Sequence, residues 1–255
     1  EEISNTLRFD SVRPDFTHRI KIAKPIDTPD VELPIDPYTF GVWLGDGTSI
    51  CGHVTINNED FEIIDRIKKA GYPVKFGYEK GNSTLFKLTT GSRKQIDRDN
   101  CFAADLRKLG VQGNKHIPEL YLHAGLEQRY ELLRGILDTD GTVSKKGQIT
   151  LTLTNKRLIN DSLELIRSLG IKANIKENRA VLNGKDCGAA YDIHFYPVDD
   201  ISLFYVKRKG ARVKKVPDRK NRRFSKTVCG AEFVGEHVVN CISVEGGFYL
   251  AGKGL

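Results

Sequence analysis

The spacing of apolar residues divides most of the chain into two stretches that have the same order of elements. Residues 39–47 and residues 133–141 carry apolar side chains at helical spacing, and each run ends in an acidic residue followed by a glycine. Two more helices are predicted over 59–71 and 156–170, and a glycine ends both of them. The repetition indicates that the chain contains two related halves.

Strand patterns fill the segments that lie between and after these helices. They are HVTIN (53–57), VKFGYE and TLFKLTT in the first stretch, and QITLTLT (148–154), IKANIKE and YDIHFY in the second. Each stretch is therefore predicted as a helix, a strand pair, a second helix and a second strand pair. Sequential strand pairs favour mainly antiparallel sheets with helices on one side, so the predicted fold class is α+β.

Alternation along 148–154 predicts a strand that has one apolar face and one polar face. Ile149, Leu151 and Leu153 form the apolar face. The polar face comprises Gln148, Thr150, Thr152 and Thr154, and the matching set in the first stretch is His53, Thr55 and Asn57. Such faces are typical of half-exposed antiparallel strands. They also carry groups that can bind base edges, since a two-stranded ribbon fits the major groove of DNA.

Small residues recur four positions apart before both acidic residues. The pairs are Gly41 with Gly45 and Gly135 with Thr139. Residues four apart share one helix face, so the two helices can pack backbone to backbone and bring Asp46 beside Asp140. Neighbouring carboxylates repel each other, and a divalent cation relieves that repulsion. An EF-hand does not fit DTDGT, because that loop needs a third ligand before its glycine and a Glu at its end.

The two segments resemble the LAGLIDADG motif of homing endonucleases. LRGILDTDG keeps Leu133, Gly135, Asp138, Asp140 and Gly141 of the family pattern, and TFGVWLGDG keeps Gly41, Asp46 and Gly47. The resemblance covers residues 37–226. Within the family, the chain is similar to intein-encoded members that have two motifs. It implies two pseudo-symmetric αββαββα repeats whose antiparallel sheets form a DNA-binding saddle. The expected activity is cleavage of a long, asymmetric site in double-stranded DNA by a monomer.

The resemblance also implies a metal-dependent reaction at the two motifs. Asp46 and Asp140, helped by carbonyl groups at Gly45 and Thr139, are predicted to hold Mg²⁺, with Mn²⁺ as a substitute. A divalent cation lowers the pKa of a water nucleophile and stabilises the attacking and leaving oxygens.

A lysine near the metal is the expected companion of these carboxylates. Lys115 lies three residues before Pro118, as Lys214 lies three before Pro217, so the pattern Lys-x-Ile/Val-Pro occurs twice. In the intein-encoded relatives a lysine before an Ile-Pro pair is similarly placed, so we predict that Lys115 and Lys214 are catalytic. Three other lysines leave the second choice open: Lys207, Lys209 and Lys215.

The net charge of +7 is concentrated in one segment. Residues 206–226 hold eleven Lys or Arg and one Asp, a net charge of +10, so the rest of the chain sums to −3. Such a segment binds a polyanion, forms a mobile solvated stretch or acts as a localisation signal. We expect DNA contacts from Lys207, Lys209, Lys215, Arg222 and Arg223.

Composition gives further expectations about the setting of the protein. The five cysteines are scattered and odd in number, which favours reduced thiols over a zinc site or a disulfide framework. No apolar run approaches the length of a membrane span, and no signal peptide opens the chain. We therefore expect an intracellular protein without a membrane partner. It would be cytoplasmic in a prokaryote or phage host and nuclear or organellar in a eukaryote. The chain has no methionine, which predicts either a trimmed chain or a piece of a longer polypeptide.

Four segments are predicted along the chain. They are an N-terminal flank that is a possible remnant of a splicing domain (1–36), the first repeat (37–126), the second repeat (127–228) and a C-terminal flank (229–255). The C-terminal flank resembles the C-terminal region of an intein without its final His-Asn, and ordinary flanking strands are an equal alternative. Two other functions stay open: a nuclease-inactive nucleic-acid-binding protein of the same fold, such as an RNA maturase or a transcriptional regulator, and a splicing module with vestigial motifs.

Overall fold

The computed structural model of the protein describes most of the chain. The described residues are 18–89, 102–197, 201–214, 224–229, 235–236, 238 and 243. The chain forms two compact units, of which the larger is Pro25–Val216 and the smaller joins Glu1–Lys24 to Pro217–Leu255.

Seven helices and nine strands occur within the described residues. The helices are α1 (Pro37–Asp46), α2 (Glu62–Lys69), α3 (Phe102–Lys108), α4 (Glu119–Leu122), α5 (Leu126–Asp140), α6 (Lys156–Ser168) and α7 (Lys207–Gly210). The strands are β1 (Arg19–Lys21), β2 (His53–Asn57), β3 (Val74–Lys80), β4 (Ser83–Leu88), β5 (Gly141–Val143), β6 (Ile149–Leu153), β7 (Ala173–Leu182), β8 (Lys185–Phe195) and β9 (Ser225–Thr227). No helix in this part of the chain is both long and apolar enough to span a membrane.

The first repeat begins with a well-capped helix. The Asp36 carboxylate accepts hydrogen bonds from the backbone N (2.8 Å) and Oγ1 (2.7 Å) of Thr39, and Pro37 opens α1. After α1 the sheet has the antiparallel order β2-β4-β3. The strand pair predicted after the first motif is incomplete in this described stretch, because a single bridge between Gly47 and Val54 takes the place of one strand.

The second repeat has the predicted order of elements, α5-β5-β6-α6-β7-β8-α7, with the antiparallel sheet order β5-β6-β8-β7. Its β7–β8 hairpin is longer than the predicted strands IKANIKE and YDIHFY. The hairpin turns at Asn183 and Gly184, which have φ values of 51° and 77°. Positive φ at both positions is typical of an Asn-Gly hairpin turn. The Asn183-Gly184 dipeptide therefore indicates this turn, and the predicted strands did not extend to it.

The two motif helices, α1 and α5, pack against each other through their glycines. A Cβ atom on Gly41 would lie 3.1 Å from Cα of Gly135 and would collide with the carbonyl oxygen of Leu132. A Cβ atom on Gly135 would collide in the same way with the carbonyl oxygen of Tyr38. The predicted backbone-to-backbone contact is therefore confirmed.

The smaller unit contains one described strand pair. Strand β1 pairs with β9 in antiparallel register, Arg19 opposite Thr227 and Lys21 opposite Ser225. Strand β9 therefore pairs within the smaller unit, and the larger unit ends at Val216. The predicted domain bounds, including the one at residue 228, stay a prediction. Most of the segment that resembles an intein C-terminal region lies outside the described residues.

Candidate active site at the ends of the motif helices

Asp46 and Asp140 are the last residues of α1 and α5, and the close packing of these helices brings their ends together. A Cβ atom on Gly45 would lie 2.8 Å from Oδ2 of Asp140 and would collide with Oγ1 of Thr139. The carboxylate of Asp140 therefore lies against the last turn of α1. A side chain at position 45 would have to displace the Thr139 side chain and the Asp140 carboxylate.

Both motif carboxylates have raised pKa values. Burial is the main cause of the rise for Asp46, and also for Asp140, whose pKa is raised to about 7. The charge of Asp46 adds to the rise at Asp140, whereas Lys115 and Lys209 act in the opposite direction. The arrangement thus holds two hard oxygen ligands in a partly dehydrated place where their negative charges are unfavourable.

Lys115 binds the end of the first motif helix. Its Nζ donates hydrogen bonds to the carbonyl oxygens of Leu44 and Gly45, both at 3.0 Å. These carbonyls belong to the last turn of α1, where the helix supplies no amide partner of its own. The ammonium also lies 5.1 Å from the centroid of the Trp43 ring, and burial lowers the pKa of Lys115 to about 8.

Lys209 has the corresponding position at the end of the second motif helix. Its Nζ donates to the carbonyl oxygens of Leu137 (3.1 Å), Asp138 (2.7 Å) and Thr139 (2.9 Å). The residue is 8% exposed, and burial lowers the pKa of its ammonium. The DNA contact predicted for Lys209 stays a prediction, and in this structure its ammonium is engaged with carbonyl oxygens inside the protein.

Lys214 is the residue that the Lys-x-Ile/Val-Pro pattern pairs with Lys115, and its catalytic role stays a prediction. Its backbone packs against the turn between β5 and β6, where a Cβ atom on Gly147 would lie 2.9 Å from the amide nitrogen of Lys214. The structural counterpart of Lys115 is Lys209. These two lysines are 94 residues apart, as the two motif aspartates are, and this equal spacing is the sequence signal that could have identified Lys209.

Asp138 is a buried motif residue that the sequence analysis left without a role. Its carboxylate accepts hydrogen bonds from the hydroxyl of Tyr38 (2.8 Å) and from the backbone amides of Tyr205 (3.1 Å) and Val206 (3.1 Å). These amides directly precede α7, which carries Lys209. The Asp138 carboxylate therefore fixes the start of the segment that places the second lysine.

Comparisons with known proteins identify a matching family profile and several similar proteins. The family profile described as LAGLIDADG-like domain matches residues 127–197. The replicative DNA helicase DnaB of Mycobacterium intracellulare is 35% identical over 100% of this chain and 40% of its own length. This chain contains a LAGLIDADG-like domain of the homing endonuclease type.

Two further similarities place the LAGLIDADG chain among its relatives. The homothallic switching endonuclease of Saccharomyces cerevisiae is 24% identical over 85% of the chain and 42% of its own length. The chain therefore spans about two-fifths of the length of the curated relatives it matches. A structure of an I-DmoI variant with its target DNA and manganese is similar to 64% of this chain and 86% of that chain, with 12% identity and a TM-score of 0.41.

The donor set of this LAGLIDADG chain fits a divalent cation. Carboxylate and carbonyl oxygens are the hard ligands that Mg²⁺ and Mn²⁺ prefer. A cation would offset both the burial and the repulsion from Asp46 that raise the pKa of Asp140. No group of three His, Cys, Asp or Glu side chains suited to a metal occurs among the described residues. Besides Asp46 and Asp140, the ligands would therefore be backbone carbonyls, such as those of Gly45 and Thr139, and water.

The polar strand faces have the predicted alternation of exposure. The exposed members are Thr55, Asn57, Thr152 and Thr154, and the half-buried members are His53, Gln148 and Thr150. The apolar residues between them are buried, for example Val54 and Leu151, both at 0% exposure, and Leu153 is half-buried. Oγ1 of Thr152 donates to Oδ1 of Asp192 at 2.6 Å in the neighbouring strand. A DNA contact from these faces stays a prediction.

The remaining basic candidates are divided between the surface and the undescribed part of the chain. Lys207 is exposed on α7, and its predicted DNA contact stays a prediction. Lys215, Arg222 and Arg223 lie outside the described residues.

Proposed function

We propose that this chain is a metal-dependent endonuclease that cleaves both strands of a long, asymmetric site in double-stranded DNA. The observation that carries the proposal is the pair of carboxylates, Asp46 and Asp140, at the touching ends of two motif helices. Each of these helix ends also holds a lysine, Lys115 or Lys209. Because each repeat contributes one carboxylate and one lysine, a single chain has the groups that two strand cuts need.

The side chains have distinct parts in the proposed reaction. Asp46 and Asp140 bind Mg²⁺, which when bound makes a water molecule more acidic and stabilises charge at the scissile phosphate. Lys115 has three N–H donors, of which two are directed at carbonyl oxygens, so the third can orient a water molecule or bind a phosphate oxygen. Lys209 directs all three donors at α5 and instead holds the helix end that carries Asp140.

The polar faces of β2 and β6 are proposed to face the DNA duplex, with the antiparallel sheets forming a saddle over it. Their opposite faces are buried in the core, so the polar faces are the ones available to a partner. Exposed threonine and asparagine side chains can donate to and accept from base edges in the major groove.

We further propose that the chain is the endonuclease part of an intein within a replicative helicase. The support is the 35% identity to a helicase polypeptide of which the chain spans only 40%. Inteins interrupt host proteins in this way, and the predicted splicing-type flanks at 1–36 and 229–255 agree with such an origin.

A selection from a randomised duplex library tests the proposed activity. The chain is incubated with Mg²⁺ and the library, and the cut ends are sequenced. Enrichment of one long site supports the proposal, and that duplex then serves as the substrate in later assays. Retention of a specific duplex without any cutting would instead favour the nuclease-inactive DNA-binding alternative.

A further inference from the structure

The segment that carries Lys115 is held by side chains of the opposite repeat. Nδ2 of Asn155 donates to the carbonyl oxygen of Lys115 at 2.9 Å. Two residues further on, the backbone amide of Ile117 donates to Oδ2 of Asp161 at 3.0 Å. Lys115 and Ile117 belong to the first repeat, whereas Asn155 and Asp161 belong to the second. The backbone around the first lysine is thus fixed from across the pseudo-symmetric interface.

The segment that carries Lys209 is held by the converse contact. Nε and Nη2 of Arg208 donate to the two carboxylate oxygens of Asp60, at 2.6 and 2.5 Å. Asp60 is 3% exposed and lies in the first repeat between β2 and α2. A bidentate, charge-assisted pair fixes orientation as well as distance. Because Arg208 precedes Lys209 directly, this pair anchors the second lysine to the first repeat.

Asp60 and Asn155 hold corresponding places in the two repeats, between the strand that follows the motif and the next helix. Local structure does not account for both contacts. Oδ1 of Asn155 caps α6 by accepting from two backbone amides, and this leaves Nδ2 for another partner. Helix α2 has no side-chain cap, so the Asp60 carboxylate serves the contact with Arg208 instead.

We propose that Asp60 and Asn155 are positioning residues that hold the lysine of the opposite repeat at its motif helix. Neither carboxylate–lysine half of the site would then be complete without the other repeat. The consequence for catalysis rests on the proposed nuclease function, whereas the exchange of supports rests on the contacts alone.

Two substitutions remove the contacts while keeping shape. Asn155→Asp retains the oxygen that caps α6 but replaces the donor to the Lys115 carbonyl with a second oxygen. Asp60→Asn removes the buried charge of the bidentate pair and leaves Arg208 with the exposed Glu59, which lies 3.9 Å away. Arg208→Lys is a second variant on the same contact, since lysine cannot form the bidentate pair. Asp105→Asn is the matched control, because Asp105 forms an ion pair with Lys108 at 3.7 Å on α3.

Strand-resolved, single-turnover cleavage of the duplex recovered from the library measures the effect on each half-site. Partners that orient active groups at metal sites typically contribute about 10- to 100-fold, and we expect a decrease in that range. Asp60→Asn and Arg208→Lys should slow the same strand, and Asn155→Asp should slow the other. The Kd for DNA and the Tm should stay near those of Asp105→Asn. Equal slowing of both strands by every variant, together with a lower Tm, would overturn the proposal.

Amine acylation followed by mass spectrometry tests the positioning without any cleavage. Lys209 is buried and fully hydrogen-bonded, so acetic anhydride should modify it slowly in the wild type. Severalfold faster modification of Lys209 in Asp60→Asn, with wild-type behaviour in Asp105→Asn, supports the proposal even if no DNA is cut. Unchanged modification of Lys209 in both Asp60→Asn and Arg208→Lys would refute it, whatever the cleavage assay shows.

Discussion

The first repeat binds Lys115 through two carbonyl oxygens and the Trp43 ring, whereas the second repeat binds Lys209 through three carbonyl oxygens in a buried place. The second repeat also has Asp138 at the motif position where the first has the apolar Leu44. The Asp138 carboxylate accepts hydrogen bonds from the backbone before α7. The side chain of the buried Leu44 has no polar group that could do so. The two halves therefore agree in their helix contact and final carboxylate, and differ in how each lysine is supported.

This difference has a chemical meaning under the proposed function. Lys115 has one N–H that no carbonyl of α1 occupies, so it is the lysine that can respond to a bound phosphate or water. Lys209 has no N–H donor left for a phosphate or a water molecule while its three hydrogen bonds to α5 are intact. We therefore expect unequal contributions from the two halves to the two strand cuts.

The largest expected effect comes from removing either motif carboxylate. Asp46→Asn or Asp140→Asn keeps the size of the side chain but removes a hard anionic ligand. Loss of a residue that only orients a metal ligand typically lowers activity up to about 100-fold, so loss of the ligand itself should slow cleavage by more than that. DNA binding in Ca²⁺ should largely survive. Rates for each strand show whether the halves are unequal. Wild-type cutting by Asp140→Asn would locate the active site elsewhere.

The helix contact, in which the two repeats agree, is tested by adding a single methyl group. Gly135→Ala or Gly41→Ala forces two backbones apart, and overpacking of this kind typically costs about 1–3 kcal/mol of the free energy of unfolding. Gly210→Ala is the control, since a Cβ there would lie 3.8 Å from Cβ of Phe204 in ordinary contact. Urea denaturation compares the three variants. A Gly135→Ala protein as stable as the control would contradict the close packing.

The strand faces are compared by replacing one exposed threonine in each repeat. Thr152→Val and Thr55→Val remove a hydroxyl from β6 and β2, and each should relax discrimination by about 1–3 kcal/mol at a narrow set of base pairs. The two sets should lie in opposite halves of the site. Leu151→Thr, on the buried face, should lower stability instead. If both threonine variants leave discrimination uniform along the site, the strands serve only as scaffolding.

The smallest expected effect concerns the exposed lysine of α7. Lys207→Gln removes one candidate phosphate contact, so the slope of log affinity against log salt should become shallower by about 0.9. Filter binding over a salt series measures the slope. An unchanged slope would show that Lys207 faces away from the DNA, and the basic contribution would then have to come from other residues of 206–226.

Local patterns in the sequence predicted the elements that depend on neighbouring residues. The alternation at 148–154 and at 53–57 predicted β6 and β2 almost to the residue, because a strand with one buried face must alternate. The four-residue spacing of small side chains predicted the contact of α1 with α5, since residues four apart share a helix face. The sequence pattern predicted two strands after the first motif, whereas the described residues form only β2 there. A single bridge between Gly47 and Val54 takes the place of the other strand.

The sequence by itself determined which helix ends meet and which carboxylates they bring together, since both follow from helical spacing around Gly41 and Gly135. The tertiary structure shows which basic residue lies at the end of α5. The Lys-x-Val-Pro pattern favoured Lys214 and left Lys209 open, whereas the packing buries Lys209 against the last carbonyl oxygens of α5. Contacts such as Asp60 with Arg208 join residues 148 positions apart, and chain patterns carry no information on such distant pairs because only the packing of the two repeats creates them.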